Sequence, residues 1–111
     1  MLTREQEYAA AIYQQVKDVK ENQSEYRSMA EKLPILIRTA GLTHALHFAD
    51  SRSAATQTLI KHLAKVLKHE DDLLEASRKA QLGEYMQLTQ QALAALQWYK
   101  RFAQSLLKEG A

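Results

Sequence analysis

The chain has 111 residues, with 15 lysines and arginines against 13 acidic residues, a net charge of +2, three glycines, one proline and no cysteine. The length predicts one domain over residues 1–111, and the missing cysteine excludes disulfides, thiolate nucleophiles and cysteine-based zinc sites. So few turn residues argue against a many-stranded β-sandwich or barrel and favour an all-α fold.

The first predicted helix covers about residues 3–21, because Thr3 and Gln6 have the spacing of a capping box and apolar residues follow at helical spacing. The second covers about residues 24–40, with Ser24 as a candidate cap. At Pro34 we expect a kink or a fresh start, since a proline within a helix removes one backbone hydrogen bond.

Gly41 is predicted to be a left-handed C-cap, followed by a short third helix over about residues 42–50. The fourth helix begins after a cap at Ser53 and reaches about residue 68. Asp71 or Asp72 begins a short fifth helix that ends near Ala80.

A break is predicted over residues 81–83, and the last and longest helix covers about residues 84–108. The expected fold is thus a compact bundle of about six helices with a long C-terminal helix. This last helix has a broad apolar surface, which indicates a central helix or one partly covered by a partner. Trp98 lies at the margin of that surface and is the candidate subunit-interface residue, with a core position as the alternative.

Nothing in the sequence indicates catalysis. His44 and His47 lie one helical turn apart, but no cysteine and no Glu-x-x-His pattern completes a metal site around them. The acidic run at residues 69–72 lacks the spacing and the glycine of a calcium loop, and no phosphate-binding loop or nucleophile elbow is present. The sequence therefore predicts no catalytic residue, no metal and no cofactor.

The N-terminal residues carry charges where a signal peptide needs an apolar stretch, and no apolar run approaches the roughly 20 residues of a membrane span. We therefore expect a cytoplasmic protein with no membrane partner.

The small net charge hides a segregated distribution. Residues 32–69 hold six basic residues against one acidic residue, and residues 85–111 hold three against one, whereas the two other segments are acidic. Lys61, Lys65 and Lys68 share one side of the fourth helix, where they form a ridge, here called the lysine ridge. This ridge is either a solvated face or a surface that follows a phosphate backbone.

Three further basic positions have two interpretations each. Arg38 lies near a helix end, where it either binds phosphate or acts as a favourable C-terminal charge. Lys100 and Arg101 stand beside Trp98, and a cation next to an aromatic ring suits a subunit interface and a nucleic-acid contact equally.

Two blocks of sequence resemble one family. The first comprises residues 33–38 (LPILIR), 41–42 (GL) and 45–48 (ALHF), and the second comprises Tyr85, Thr89, residues 92–93 (AL), Leu96, Trp98 and residues 100–103 (KRFA). Together they are similar to the small α-helical subunit of the type III-B CRISPR RNA-targeting effector, the Cmr complex. Ala40 departs from the pattern, since the family often has Asn there.

The resemblance implies a non-catalytic subunit whose copies stack head to tail into a minor filament. Its implied partners are the backbone and large subunits of the effector, further copies of itself, CRISPR RNA and target RNA. By position in the two blocks, Arg38, Lys100 and Arg101 are the implied RNA-facing cations, while Lys61, Lys65 and Lys68 rest on charge alone. The alternative is a helical protein–protein interaction module whose basic faces are merely solvated.

Overall fold

Six α-helices and no β-strand are present in the residues that the computed structural model describes, which are 1–70 and 72–108. The helices are α1 (Arg4–Lys17), α2 (Gln23–Ala40), α3 (Leu42–Arg52), α4 (Ala54–Val66), α5 (Leu73–Lys79) and α6 (Leu82–Leu106). The prediction of an all-α bundle of about six helices with a long C-terminal helix is confirmed.

The long helix α6 packs against α1, α2 and α4, and α2 also packs against α3 and α4. The short helix α5 lies on α3. Helices α2 and α6 are antiparallel, because Arg27 contacts the carbonyl of Leu107 while Glu31 contacts Gln104. Fully buried side chains from five helices form the core, among them Ile12, Tyr26, Leu33, Leu46, Leu59, Leu63, Leu96 and Tyr99.

Three predicted helix caps are confirmed. Thr3 and Gln6 form the capping box of α1, with reciprocal hydrogen bonds of 2.9 and 3.1 Å between side chain and backbone N–H. Ser53 caps α4. The carboxylate of Asp72 accepts the N–H of Glu75 at 2.8 Å at the start of α5. The alternative cap at Asp71 lies outside the described residues.

The expected end of α1 and the expected cap of α2 are wrong. Helix α1 ends at Lys17, four residues before the predicted end, because Val19 is buried in the turn that follows. Asn22, in a left-handed conformation with φ of 53°, precedes α2 where Ser24 was expected. The side-chain amide of Gln23 donates to the carbonyl of Val19 at 2.9 Å and stabilises this turn.

Helix α2 continues through Pro34, so the fresh start considered for that position does not occur. Pro34 is buried, and the packing of α2 against three other helices offsets the missing backbone hydrogen bond.

Two other helix boundaries differ from expectation. Helix α4 ends at Val66, which leaves Lys68 in the following turn with φ of 65°. Helix α6 begins at Leu82, since the break is confined to the extended residues Ala80 and Gln81.

Gly41 forms the corner between α2 and α3. Its φ of 92° is positive as expected, but its ψ of 159° is extended rather than helical. Its N–H donates to the carbonyl of Ile37 at 2.9 Å and closes α2. This backbone conformation is open almost exclusively to glycine.

Candidate nucleic-acid interface

All six predicted RNA-facing cations are exposed. They lie at the end of α2, along α4 and its following turn, and in the C-terminal half of α6, at Arg38, Lys61, Lys65, Lys68, Lys100 and Arg101. Because they occupy three separate elements, their surroundings must be described one by one.

The first residue of the lysine ridge has acidic neighbours. Lys61 lines a shallow depression of about 200 Å³ together with Asp50 of α3 and with Glu70 and Asp72 of the turn after α4. These carboxylates come from other elements, so the spacing within the fourth helix did not reveal them. Their negative charges lower the positive potential of the surface around Lys61.

The other two residues of the ridge also have acidic neighbours. Lys65 and Lys68 line a groove of about 800 Å³ between α1 and α4, and Glu7 and Asp18 of α1 line the same groove. The lysine ridge is therefore a surface of mixed charge in the folded chain. An RNA contact at these three lysines stays a prediction.

Arg38 lies in the last turn of α2, where a cation interacts favourably with the helix dipole. Its side chain is exposed, so its guanidinium is also accessible to a phosphate. Both interpretations of Arg38 remain consistent with this position.

The adjacent residues Lys100 and Arg101 point in different directions, since neighbours on an α-helix are about 100° apart around its axis. Arg101 lines a groove between α6 and the start of α1, and Lys100 does not. This groove, here called the aromatic groove, has a volume of about 460 Å³ and is lined by Arg4, Glu5, Tyr8, Gln97, Trp98 and Arg101.

Aromatic rings hold Trp98 in place at this groove. The Trp98 and Phe102 rings are stacked, with centroids 5.5 Å apart, and Phe102 meets Tyr13 of α1 edge to face at 5.3 Å. On α1, the guanidinium carbon of Arg4 lies 5.7 Å from the centre of the Tyr8 ring. Trp98 is half-buried, so it packs on the core and still lines an open surface.

Sequence reasoning did not single out Arg4 or Tyr8. Both lie on the first helix, and only the packing of α1 on α6 brings them beside Trp98 and Arg101. The one available signal was their spacing of four residues, which places a cation and an aromatic ring on the same face of a helix.

A chain of hydrogen bonds joins four helices beneath the groove of the lysine ridge. The Tyr99 hydroxyl of α6 donates to Gln15 Oε1 of α1 at 2.5 Å, and Gln15 Nε2 donates to the carbonyl of His62 in α4 at 3.1 Å. The Tyr26 hydroxyl of α2 is 2.7 Å from Nδ1 of His62. We call these four residues the polar joint.

Burial shifts the pKa values of three residues of the polar joint in the direction that favours their neutral forms. It raises the pKa values of Tyr26 and Tyr99 far above the ordinary value, so both hydroxyls stay neutral. Burial also lowers the pKa of His62, the nearby charge of Lys65 lowers it further, and Asp18 partly opposes these effects. With a neutral His62, the Tyr26 hydroxyl can donate to Nδ1.

The side chain of Tyr85 in α6 reaches the N-terminal end of α3. The N–H of Thr43 donates to the Tyr85 hydroxyl at 3.1 Å, and the Thr43 hydroxyl lies 3.4 Å from the same oxygen. Partial burial would raise the pKa of Tyr85, but hydrogen bonds from Thr43 and from the backbone of Leu42 outweigh it and lower the pKa. Tyr85 thus supplies the acceptor that Gly41, which has no side chain, cannot offer to the first turn of α3.

The two histidines considered for metal binding have other surroundings. His44 is exposed, and Nε2 of His47 is 3.0 Å from a guanidinium nitrogen of Arg78. Within residues 1–70 and 72–108, no group of three or more His, Asp or Glu side chains is placed to hold a metal ion. In the same part of the chain, no helix has the length and apolar character needed to cross a membrane.

Comparisons with known proteins identify the family. A family model described as "CRISPR-associated protein (Cas_Cmr5)" matches residues 4–106. The chain belongs to the Cmr5 family. It is 47% identical to the CRISPR system Cmr subunit Cmr5 of Thermus thermophilus, over 98% of this chain and 100% of that protein.

The fold of this chain also matches that of a solved member of the family. The crystal structure of a CRISPR-associated Cmr5 family protein from Thermus thermophilus matches this chain with a TM-score of 0.92 and 46% identity. The match covers 97% of this chain and 100% of that structure. The resemblance to the small subunit of the type III-B Cmr complex is thereby confirmed.

Proposed function

We propose that the chain is a non-catalytic structural subunit of a CRISPR RNA-guided, RNA-targeting effector of type III-B. The observation that carries the proposal is the similarity over nearly the full length to a Cmr subunit. In this role the single domain of residues 1–111 works in the cytoplasm, stacks with copies of itself into a minor filament, and lies beside the backbone and large subunits.

The second part of the proposal is a contact with the backbones of CRISPR RNA and target RNA. Exposed cations on several elements support it, because lysine and arginine side chains bind phosphates without reading the base sequence. Arg38 and Lys100 carry most weight, since both are exposed and belong to the sequence blocks that resemble the family. The mixed charge around Lys61, Lys65 and Lys68 makes their contribution smaller.

A protein–protein interaction module is the second candidate function. The observation in its favour is the half-buried Trp98 at an open groove, since tryptophan is a frequent anchor of interfaces. In that case Trp98 contacts a neighbouring subunit and the basic residues are only solvated.

Reconstitution of the effector with an Arg38→Gln/Lys100→Gln variant tests the RNA contact. Losing two phosphate contacts is expected to weaken RNA binding severalfold at low salt and to flatten its dependence on salt concentration. Filter binding at several salt concentrations measures both effects, for the complex and for the isolated chain. The matched control is Lys17→Gln/Lys20→Gln, which removes two exposed charges elsewhere.

An equal affinity and salt dependence of the double variant and the native chain would contradict the RNA contact. Assembly is read separately, by co-purification of the other subunits with each variant. The non-catalytic role predicts that the isolated chain leaves labelled target RNA intact, with and without added divalent cations, and cleavage would contradict it.

A further inference from the structure

The aromatic groove brings together aromatic and arginine side chains from α1 and α6. Its lining includes the aromatic residues Tyr8 and Trp98 and the arginines Arg4 and Arg101. Neither guanidinium forms an ion pair with any residue in 1–70 or 72–108. Among the described residues that line the groove, Glu5 is the one with a carboxylate.

We infer that the aromatic groove binds an unpaired nucleotide of RNA, with its base against the rings and its phosphate on the arginines. This inference rests on the proposed function, because it assigns one class of RNA contact to one place on the chain.

The aromatic rings suit a nucleobase. Every base has a π face that stacks on aromatic side chains, and such stacking favours rigid platforms. The stack of Trp98 on Phe102, with Tyr13 against its edge, fixes the orientation of the tryptophan before any ligand arrives. A volume of about 460 Å³ lies within the usual range of small-molecule sites, and the Gln97 amide can hydrogen-bond to a base edge.

The charged groups select an anionic ligand. A guanidinium offers paired donors that match phosphate oxygens, and two of them at one groove make a backbone contact favourable. Arg4 already lies over the Tyr8 ring, and a base can stack on a guanidinium plane as well as on an aromatic ring. The carboxylate of Glu5 repels an anion, so removal of its charge should strengthen the binding of an anionic ligand.

An unpaired nucleotide fits these groups better than a duplex does. The bases of a duplex are stacked on each other, so only the phosphates could reach the groove. Tryptophan, tyrosine and arginine are also the residues enriched in protein interfaces, so the experiment reads subunit assembly separately from RNA binding.

Trp98 is the single tryptophan of the chain, so the tryptophan fluorescence comes from a residue that lines this groove. The experiment titrates the isolated full-length chain at low salt with single-stranded oligouridylate, and in parallel with an RNA duplex of the same length. Filter binding of the same mixtures measures occupancy. We expect oligouridylate to quench Trp98 in proportion to occupancy, and the duplex to bind without comparable quenching.

Three substitutions assign the contacts. Tyr8→Leu removes one ring and is expected to weaken single-strand binding about tenfold. Arg101→Gln is expected to weaken it severalfold and to lower the salt dependence, and Glu5→Gln to strengthen it about twofold. Lys17→Gln removes a charge from the same helix as Arg4, outside the groove, and is expected to change affinity less than twofold.

Failure of this inference is distinguishable from failure of the proposed function. If oligouridylate binds without quenching Trp98, or if Tyr8→Leu and Arg101→Gln bind as tightly as Lys17→Gln, the groove is not a nucleotide site while the RNA contact stands. If neither RNA binds at any concentration tested, both the inference and the RNA contact of the isolated chain are overturned. If the groove variants lose effector subunits or self-association at unchanged RNA affinity, the groove is a protein interface and the inference is wrong.

Discussion

The basic residues of the lysine ridge and those of the aromatic groove have different neighbours in the folded chain. The lysine ridge has only basic charges of its own, on α4 and the turn after it, yet carboxylates from α1, α3 and that same turn line its grooves. The aromatic groove has one arginine from α1 and one from α6, helices at opposite ends of the sequence, and Tyr8 and Trp98 line the same groove. A basic run along one helix is therefore a poor guide to the surface potential, because neighbouring elements contribute as much charge as the helix itself.

The two regions are also anchored in different ways. The helix that carries the groove is fixed near its start, where Tyr85 reaches the first turn of α3 beside Gly41. The helix that carries the ridge is fixed at its middle, where His62 belongs to the polar joint. Substitutions at Gly41 and His62 test the two anchors, and substitutions of the carboxylates near the ridge test the effect of their charge.

The largest effect is expected from Gly41→Ala, at the anchor of the groove helix. A side chain at φ of 92° and ψ of 159° is strained, and the new Cβ would lie 3.5 Å from the Tyr85 hydroxyl. The free energy of unfolding should fall by about 1–3 kcal/mol, measured by urea denaturation.

Gly83→Ala is the matched control for this substitution. Gly83 lies within α6 and a Cβ there would meet no atom within 4 Å. Its stability should be unchanged or higher by up to about 1 kcal/mol. Equal losses at both glycines would show that the corner at Gly41 has no special role.

A smaller effect is expected when the acidic neighbours of the ridge are neutralised. Asp50→Asn/Glu70→Gln removes two of the carboxylates beside Lys61, and RNA affinity at low salt should rise about two- to threefold and return to the native value at high salt. Filter binding measures the change. The control Glu21→Gln/Glu25→Gln removes two charges away from the ridge, and an equal gain there would mean that only net charge matters.

The smallest effect concerns pH and the anchor of the ridge helix. The pKa of His62 in the folded chain lies below its ordinary value of 6.5, so the unfolded chain takes up this proton more readily. Stability from this group is thus complete above about pH 6.5 and declines as the pH falls below it. The decline is modest, because His62 is only partly buried and solvent screens its charge.

Thermal unfolding between pH 7.5 and pH 5 measures this decline. His62→Asn keeps an acceptor for the Tyr26 hydroxyl without a titrating ring, so its melting temperature should vary less with pH than that of the native chain. The exposed His44→Asn is the control for the loss of one imidazole. If the melting temperature of His62→Asn depends on pH as strongly as that of the native chain, His62 is not the cause of the decline.

Local signals predicted most of the fold. Helical spacing and capping residues gave six helices, and the caps at Thr3, Ser53 and Asp72 are where the sequence placed them. The boundaries that differ, such as the end of α1 before Val19, depend on burial of a turn against the rest of the bundle. Less of the candidate site was predictable. Arg101 and Trp98 were singled out, but Arg4 and Tyr8 were not, because their partners lie on a helix at the other end of the chain.

The sequence by itself determined the helices, most of their caps, the absence of cysteine chemistry and a pattern shared with one family. These properties depend on residues within one or two turns of each other, so their spacing encodes them directly. Only the tertiary structure decided which helices face each other. That choice brought Arg4 and Arg101 into the lining of one groove with Tyr8 and Trp98, placed carboxylates beside the lysine ridge and closed the polar joint through Gln15. The reason is physical, since contacts between helices depend on how whole apolar faces pack, and no local spacing records that arrangement.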